Sequence, residues 1–90
     1  MEIIFLPKAD SDLLFWKTSG QKKTQKKISE LLKDMTKNPF EGLGKPERLK
    51  YQLSEYWSRE INKKDRLIYK VLESENKIVV YSLRGHYFDK

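Results

Sequence analysis

Near the end of the chain, Arg84-Gly85-His86-Tyr87 brings together a guanidinium, the only imidazole in the sequence and a phenol. Histidine is the side chain best able to give or take a proton near neutral pH. The chain carries a formal charge of +6, from 19 Lys and Arg against 13 Asp and Glu. A basic surface gathers phosphate, and an imidazole can protonate a leaving oxygen. Together they point to one chemistry, the cleavage of RNA by its own 2′-hydroxyl. That reaction needs a base for the 2′ proton, an acid for the 5′ oxygen, and cations for the charge that builds on phosphorus. It requires no metal or other cofactor. The sequence offers no metal cluster either: one histidine, no cysteine and no tight group of carboxylates.

His86 is the candidate acid. Tyr87 beside it can stack on a base or orient a phosphate. Arg66 starts a strand whose next residues, Leu67 and Ile68, are apolar, so packing would position it to hold a phosphate through two hydrogen bonds. Lys50 and Arg59, on neighbouring strands, would add positive charge to the same face. Glu47 follows Lys45-Pro46 and is the candidate base, because the proline stiffens the backbone beside it. Each residue also has a plainer place. His86 fits a surface terminus, Glu47 a solvated loop, and Arg66 a surface pair with Asp65 or Glu60 worth under about 1 kcal/mol. RNA binding without cleavage, and a protein-binding module, would use the same residues.

These side chains need a scaffold, and 90 residues fit one domain spanning 1–90. Apolar residues make up 38% and include Trp16 and Trp57, enough for a core without staples. With no cysteine there is no disulfide and no thiolate chemistry, which fits a reducing cytosol. No segment is apolar enough to span a membrane, and the first residues lack the basic region and cleavage site of a signal peptide. A cytoplasmic protein is expected. The basic excess suits a polyanion, an acidic protein partner, or simply many solvated lysines.

Ile3 to Leu6 read as a first strand ended by Pro7. A first helix is expected from about Ala9 to Ser19, with Asp10, Ser11 and Asp12 in its N-terminal turn and Gly20 as its stop. In the second helix Ile28, Leu31, Leu32 and Met35 form one apolar stripe, and Asn38-Pro39 ends it. Lys22, Lys23, Lys26 and Lys27 crowd its start, either as a solvated face or as a dock for RNA phosphates. After a Gly- and Pro-rich loop the period becomes two. Leu49, Tyr51 and Leu53 alternate with Arg48, Lys50 and Gln52, which predicts a strand with one basic face. Tyr56–Ile61, Arg66–Leu72 and Ile78–Arg84 complete the strands. Their short connections favour an antiparallel meander. The order predicts an α+β domain, its N-terminal strand and two helices packed on one face of a mostly antiparallel sheet, with the other face left for chemistry.

The run Asn38-Pro39-Phe40-Glu41-Gly42-Leu43-Gly44-Lys45-Pro46-Glu47-Arg48-Leu49-Lys50 resembles the signature loop and strand of the Txe/YoeB toxins, within the RelE/ParE superfamily. So do Leu53-Ser54-Glu55-Tyr56-Trp57-Ser58-Arg59, Asp65-Arg66-Leu67-Ile68-Tyr69 and His86-Tyr87, in matching order from Ile3 to Tyr87. The resemblance implies a compact microbial-ribonuclease-like fold. It also implies the toxin of a toxin–antitoxin pair, an mRNA interferase that cuts in the ribosomal A site. On that basis Glu47 matches the general base, His86 the general acid and Arg66 the residue that stabilises transition-state charge. Lys50 and Arg59 match supporting phosphate contacts, and Tyr87 helps to position the RNA. The products would be a 2′,3′-cyclic phosphate and a 5′-hydroxyl. The implied partners are the ribosome, mRNA and a YefM-like antitoxin whose acidic C-terminal segment covers the basic face. Toxins of this family are often dimeric.

The chain departs from the family pattern in three places. Glu60 stands where many relatives carry a second basic residue after the one matching Arg59. Phe88-Asp89-Lys90 extend past Tyr87, where relatives tend to stop. Gly85 is expected to loosen the backbone of His86. Two rival functions are a translation inhibitor that binds RNA or the ribosome without cutting, and a ParE-like gyrase poison. The poison needs neither His86 nor the Lys45-Pro46-Glu47 string.

Overall fold

The computed structural model describes residues 1–85. Strand β1 (Glu2–Phe5) leads into helices α1 (Pro7–Thr18) and α2 (Lys22–Lys37), followed by β2 (Glu47–Arg48), β3 (Trp57–Glu60), β4 (Arg66–Leu72) and β5 (Lys77–Ser82). The strands form one sheet in the order β1-β5-β4-β3-β2. Strands β2 to β5 pair antiparallel with their neighbours, as the short connections predict, and β1 lies parallel to β5. This is the expected α+β arrangement, with both helices on one sheet face.

Period and parity explain the core. Ile28, Leu31 and Met35 on α2 are buried, and so are Ala9 and Trp16 on α1. They meet Leu67 and Tyr69 of β4 and Ile78 and Val80 of β5, alternate residues that share one face of the sheet. Trp16 satisfies its buried indole N–H by donating to the Leu83 carbonyl at 2.8 Å. No described helix is long and apolar enough to cross a membrane.

Two expectations change. Helix α1 begins at Pro7, whose fixed φ and missing N–H suit a first turn, so Asp12 is not an N-terminal capping residue. Asp12 is buried, accepts the Leu83 amide at 2.9 Å and pairs with Lys8 at 2.6 Å, tying α1 to the end of β5. The strand predicted through Leu53 ends at Arg48. The Leu49 amide still bonds to the Tyr56 carbonyl, but Tyr51 takes a positive φ of 58° and a single 3-10 turn covers Tyr51–Leu53. The alternation from Leu49 to Leu53 therefore joins one inward residue, Leu49, to the exposed loop residues Tyr51 and Leu53. Gly85 itself is anchored, and the His86 backbone it was expected to loosen lies outside the described residues. The Gly85 amide donates to Asp65 Oδ1 at 2.9 Å and its carbonyl accepts the Arg66 amide at 3.0 Å, while its φ of 93° suits glycine.

Candidate active site on the sheet

Paired residues on adjacent strands point to the same side of a sheet. Glu47 lies opposite Ser58, and Ser58 opposite Ile68. Glu60 lies opposite Arg66. Residues two apart on a strand share a face, so Glu47, Glu60 and Arg66 stand together on the side away from the helices. Two strand spacings and one side-chain repeat put the Glu47 and Arg66 Cα atoms about 12 Å apart, close enough for two long side chains to reach one phosphodiester.

Glu47 is exposed on the edge strand β2, and its side chain makes no ion pair or hydrogen bond among the described residues. Arg66 is half-buried at the start of β4. Its Nη1 donates to the carbonyls of Asn62 at 2.7 Å and Asp65 at 3.1 Å, which fixes the guanidinium against the β3–β4 turn. Lys50 is exposed at the start of the β2–β3 loop, beyond Glu47 on the same edge. His86 and Tyr87 lie outside the described residues. The segment that carries them leaves from Gly85, whose backbone is bonded to Arg66 and Asp65.

Arg59 is not at this surface. It is fully buried on the helix side of the sheet, where all five of its N–H donors have partners. Nε donates to the Tyr69 hydroxyl, Nη1 to Asp34 and the Leu43 carbonyl, and Nη2 to the Asn38 and Glu41 carbonyls. The expected phosphate contact through Arg59 is therefore corrected: its guanidinium has no donor left to offer. Parity in the sequence carried the signal. Arg59 alternates with Trp57 and Ile61, which face the core, whereas Arg66 alternates with Ile68 and Lys70.

What Arg59 does is hold the loop that delivers Glu47. Tyr69 donates its hydroxyl to the Pro39 carbonyl at 2.7 Å, and the Glu60 amide donates to the Gly44 carbonyl at 2.7 Å. Burial pushes the Tyr69 phenol above its ordinary pKa, so it keeps the proton it donates. The carbonyls of residues 38, 39, 41, 43 and 44 are thus all gathered by three side-chain and backbone anchors. Two glycines make this approach feasible. A Cβ on Gly42 would stand 2.1 Å from Asp34 Oδ2, and one on Gly44 would stand 2.8 Å from Leu31 Cδ2. Both also adopt positive φ, at 109° and 80°.

Asp34 closes the anchor. The hydrogen bond from Arg59, aided by the Leu43 amide, holds its carboxyl below the ordinary value of 3.8. A depressed folded pKa gives stability that is complete above the unfolded value and is lost as pH falls through the folded one. Asp34→Asn should therefore start from a lower thermal midpoint than the parent at neutral pH. Its midpoint should then fall less steeply in the acid range. Parallel midpoint curves would remove Asp34 from the acid sensitivity of the fold.

Other cations surround the site. Lys45 lies 3.7 Å from Glu60, a contact the sequence did not single out. Lys22, Lys23, Lys26 and Lys27 on α2 form no ion pair among the described residues, which leaves both a solvated face and a phosphate dock open to them. Among the described residues, no group of three or more His, Cys, Asp or Glu side chains could hold a metal ion. The arrangement offers a carboxylate able to take a proton and, on the same surface, a guanidinium able to hold a phosphate.

The sequence profile of the YoeB-like toxins of bacterial type II toxin–antitoxin systems matches residues 5–87. Toxin YoeB of Escherichia coli (strain K12) is 41% identical over 87 residues, covering 97% of this chain and 100% of that protein. The structure of a YoeB–YefM complex from Staphylococcus aureus superposes with a TM-score of 0.83 at 43% identity, over 97% of this chain and 98% of that one. A YoeB dimer from the same organism gives a TM-score of 0.85 at 43% identity, with the same coverage of 97% and 98%.

Proposed function

This chain belongs to the YoeB-like toxins of bacterial type II toxin–antitoxin systems, and from that premise we propose that it is an endoribonuclease that cuts mRNA in the ribosomal A site. The observation that carries this reading is the shared sheet face of Glu47 and Arg66, beside the anchored Gly85 from which His86 follows. Glu47 takes the proton from the 2′-hydroxyl, and the resulting oxygen attacks the adjacent phosphorus. Arg66, with Lys50 nearby, stabilises the added negative charge. His86 protonates the departing 5′ oxygen, and Tyr87 positions the RNA. The products are a 2′,3′-cyclic phosphate and a 5′-hydroxyl. Every proton is accounted for by side chains, so the step needs no metal.

An exposed glutamate on an edge strand is a poor base unless its substrate is already bent for attack. Holding the mRNA in that shape is the task we assign to the ribosome, because near-attack geometry lowers a barrier by itself. The Staphylococcus aureus relative was solved with YefM. For this chain a YefM-like antitoxin with an acidic C-terminal segment suits the +6 charge, since carboxylates can imitate phosphates on the basic face. A homodimer is a second assembly, by analogy with the dimeric relative. The reaction would take place in the cytoplasm, where ribosomes translate.

Translation of a defined mRNA in a purified system, followed by primer extension, tests the proposal. Sharp 5′ ends in the A site are expected. Uncut mRNA on stalled ribosomes would favour a non-cleaving inhibitor, and DNA breaks a gyrase poison. Arg66→Ala should cut the rate by on the order of 10²-fold or more while ribosome co-sedimentation persists. Weakened binding with normal turnover would make Arg66 a docking residue.

A further inference from the structure

Arg66 offers only part of its guanidinium to an anion. Both Nη1 donors are spent on the turn carbonyls, which leaves Nε and Nη2 for a ligand. Nη2 is already met by Glu60, whose Oε2 lies 3.4 Å away. The other carboxylate oxygen, Oε1, lies 3.7 Å from Lys45 Nζ. Glu60 thus sits between a guanidinium and an ammonium, on the face that carries Glu47, where an anionic ligand of Arg66 would have to bind. Its backbone is fixed, because it pairs with Arg66 in the sheet and its amide bonds to the Gly44 carbonyl.

The side chain is held far less firmly. Both contacts exceed the 2.7–2.9 Å of about the tightest charge-assisted bonds. The Glu60 side chain is 37% exposed and that of Lys45 is 86% exposed, so water screens both pairs. A carboxylate held in this way yields to a better acceptor. Lys45 gives it a place to go, so its charge need not stay beside the incoming phosphate.

We propose that Glu60 is an internal competitor for the RNA backbone at Arg66. Its carboxylate occupies the open edge of the guanidinium at rest and moves toward Lys45 when a phosphodiester binds. It therefore sets affinity and leaves the chemical step alone. The proposal rests on the phosphodiester reading of this face.

The test is binding of a short RNA whose scissile position carries 2′-deoxyribose, so that it cannot be cut. Its affinity is measured by fluorescence anisotropy at one low salt concentration. Glu60→Gln should bind about two- to ten-fold more tightly than the parent, the range that one or two surface ion pairs supply. Glu60→Ala, which loses the hydrogen-bonding group as well, should show the same gain. Glu73→Gln removes the same charge from the turn after β4 and should gain less. In an Arg66→Gln background the gain from Glu60→Gln should vanish. On ribosomes Glu60→Gln should lower KM by a similar factor with kcat unchanged.

Equal gains from Glu60→Gln and Glu73→Gln, or a gain that survives Arg66→Gln, would reduce the effect to overall charge and overturn the proposal. Weaker binding by Glu60→Gln would make Glu60 a support for Arg66 and overturn it too. Tighter binding by Glu60→Gln from a protein that never cuts RNA would keep the competitor and remove the nuclease. Normal cleavage with no gain would do the reverse.

Discussion

Arg59→Ala is expected to lower the free energy of unfolding by about 3–5 kcal/mol, the usual cost of breaking an ion pair by removing its buried member. The substitution strips Asp34 of its main partner and leaves three loop carbonyls without their donor. Domains of this size lose about 4–8 °C of midpoint for each kcal/mol, so the thermal transition should drop by more than about 12 °C. Arg59→Lys restores the charge opposite Asp34 but not the fork that reaches several carbonyls at once, so its midpoint should fall in between. Cleavage should decline with the fold, because the loop from Asn38 to Gly44 delivers Glu47. A midpoint within a few degrees of the parent would return Arg59 to the list of ligand contacts.

Glu47→Gln should do the opposite, slowing cleavage by about 10²- to 10⁴-fold at unchanged stability. Glutamine keeps the shape of the side chain and loses the basic oxygen. Glu47 is exposed on the edge strand and makes no side-chain bond among the described residues, so its exchange should alter stability by no more than about 0.5 kcal/mol. Single-turnover cleavage on programmed ribosomes, with a melting curve on the same preparation, separates the two effects. A rate within threefold of the parent would strip Glu47 of the role of base.

The pair of substitutions also marks what a sequence can convey. Helix α2 was legible because Ile28, Leu31 and Met35 repeat at the helical period, and burial follows that period. Arg66 to Leu72 was legible because its turns are short and its residues strongly β-forming. The β2–β3 loop was not. An exposed Tyr51 and a partly exposed Leu53 imitate the alternation of a strand, and only the left-handed backbone of Tyr51 distinguishes them. The candidate site was legible in part. Residue type marks an arginine as able to bind phosphate, but it does not reveal whether a neighbouring helix holds an aspartate against it. Asp34 lies 25 positions from Arg59, and nothing local links them. Glu60 stood out as a departure from the family pattern and as a surface partner of Arg66, a pair the structure contains, yet its contact with Lys45 emerges only when the loop before β2 is brought against β3.

The partner of β1 is β5, so the first strand of the chain waits for the last. Pairing at such separation closes a loop of almost the full length, and it becomes available late in synthesis. A nascent chain that has displayed α1, α2 and the Glu47 loop still lacks the strand that completes the sheet. For a protein proposed to cut messages on the ribosome, this order keeps the sheet incomplete until β5 has been made. A translation that stalls before β5 leaves a fragment in which neither β1 nor β4 has its β5 partner, so the sheet that carries Arg66 cannot close.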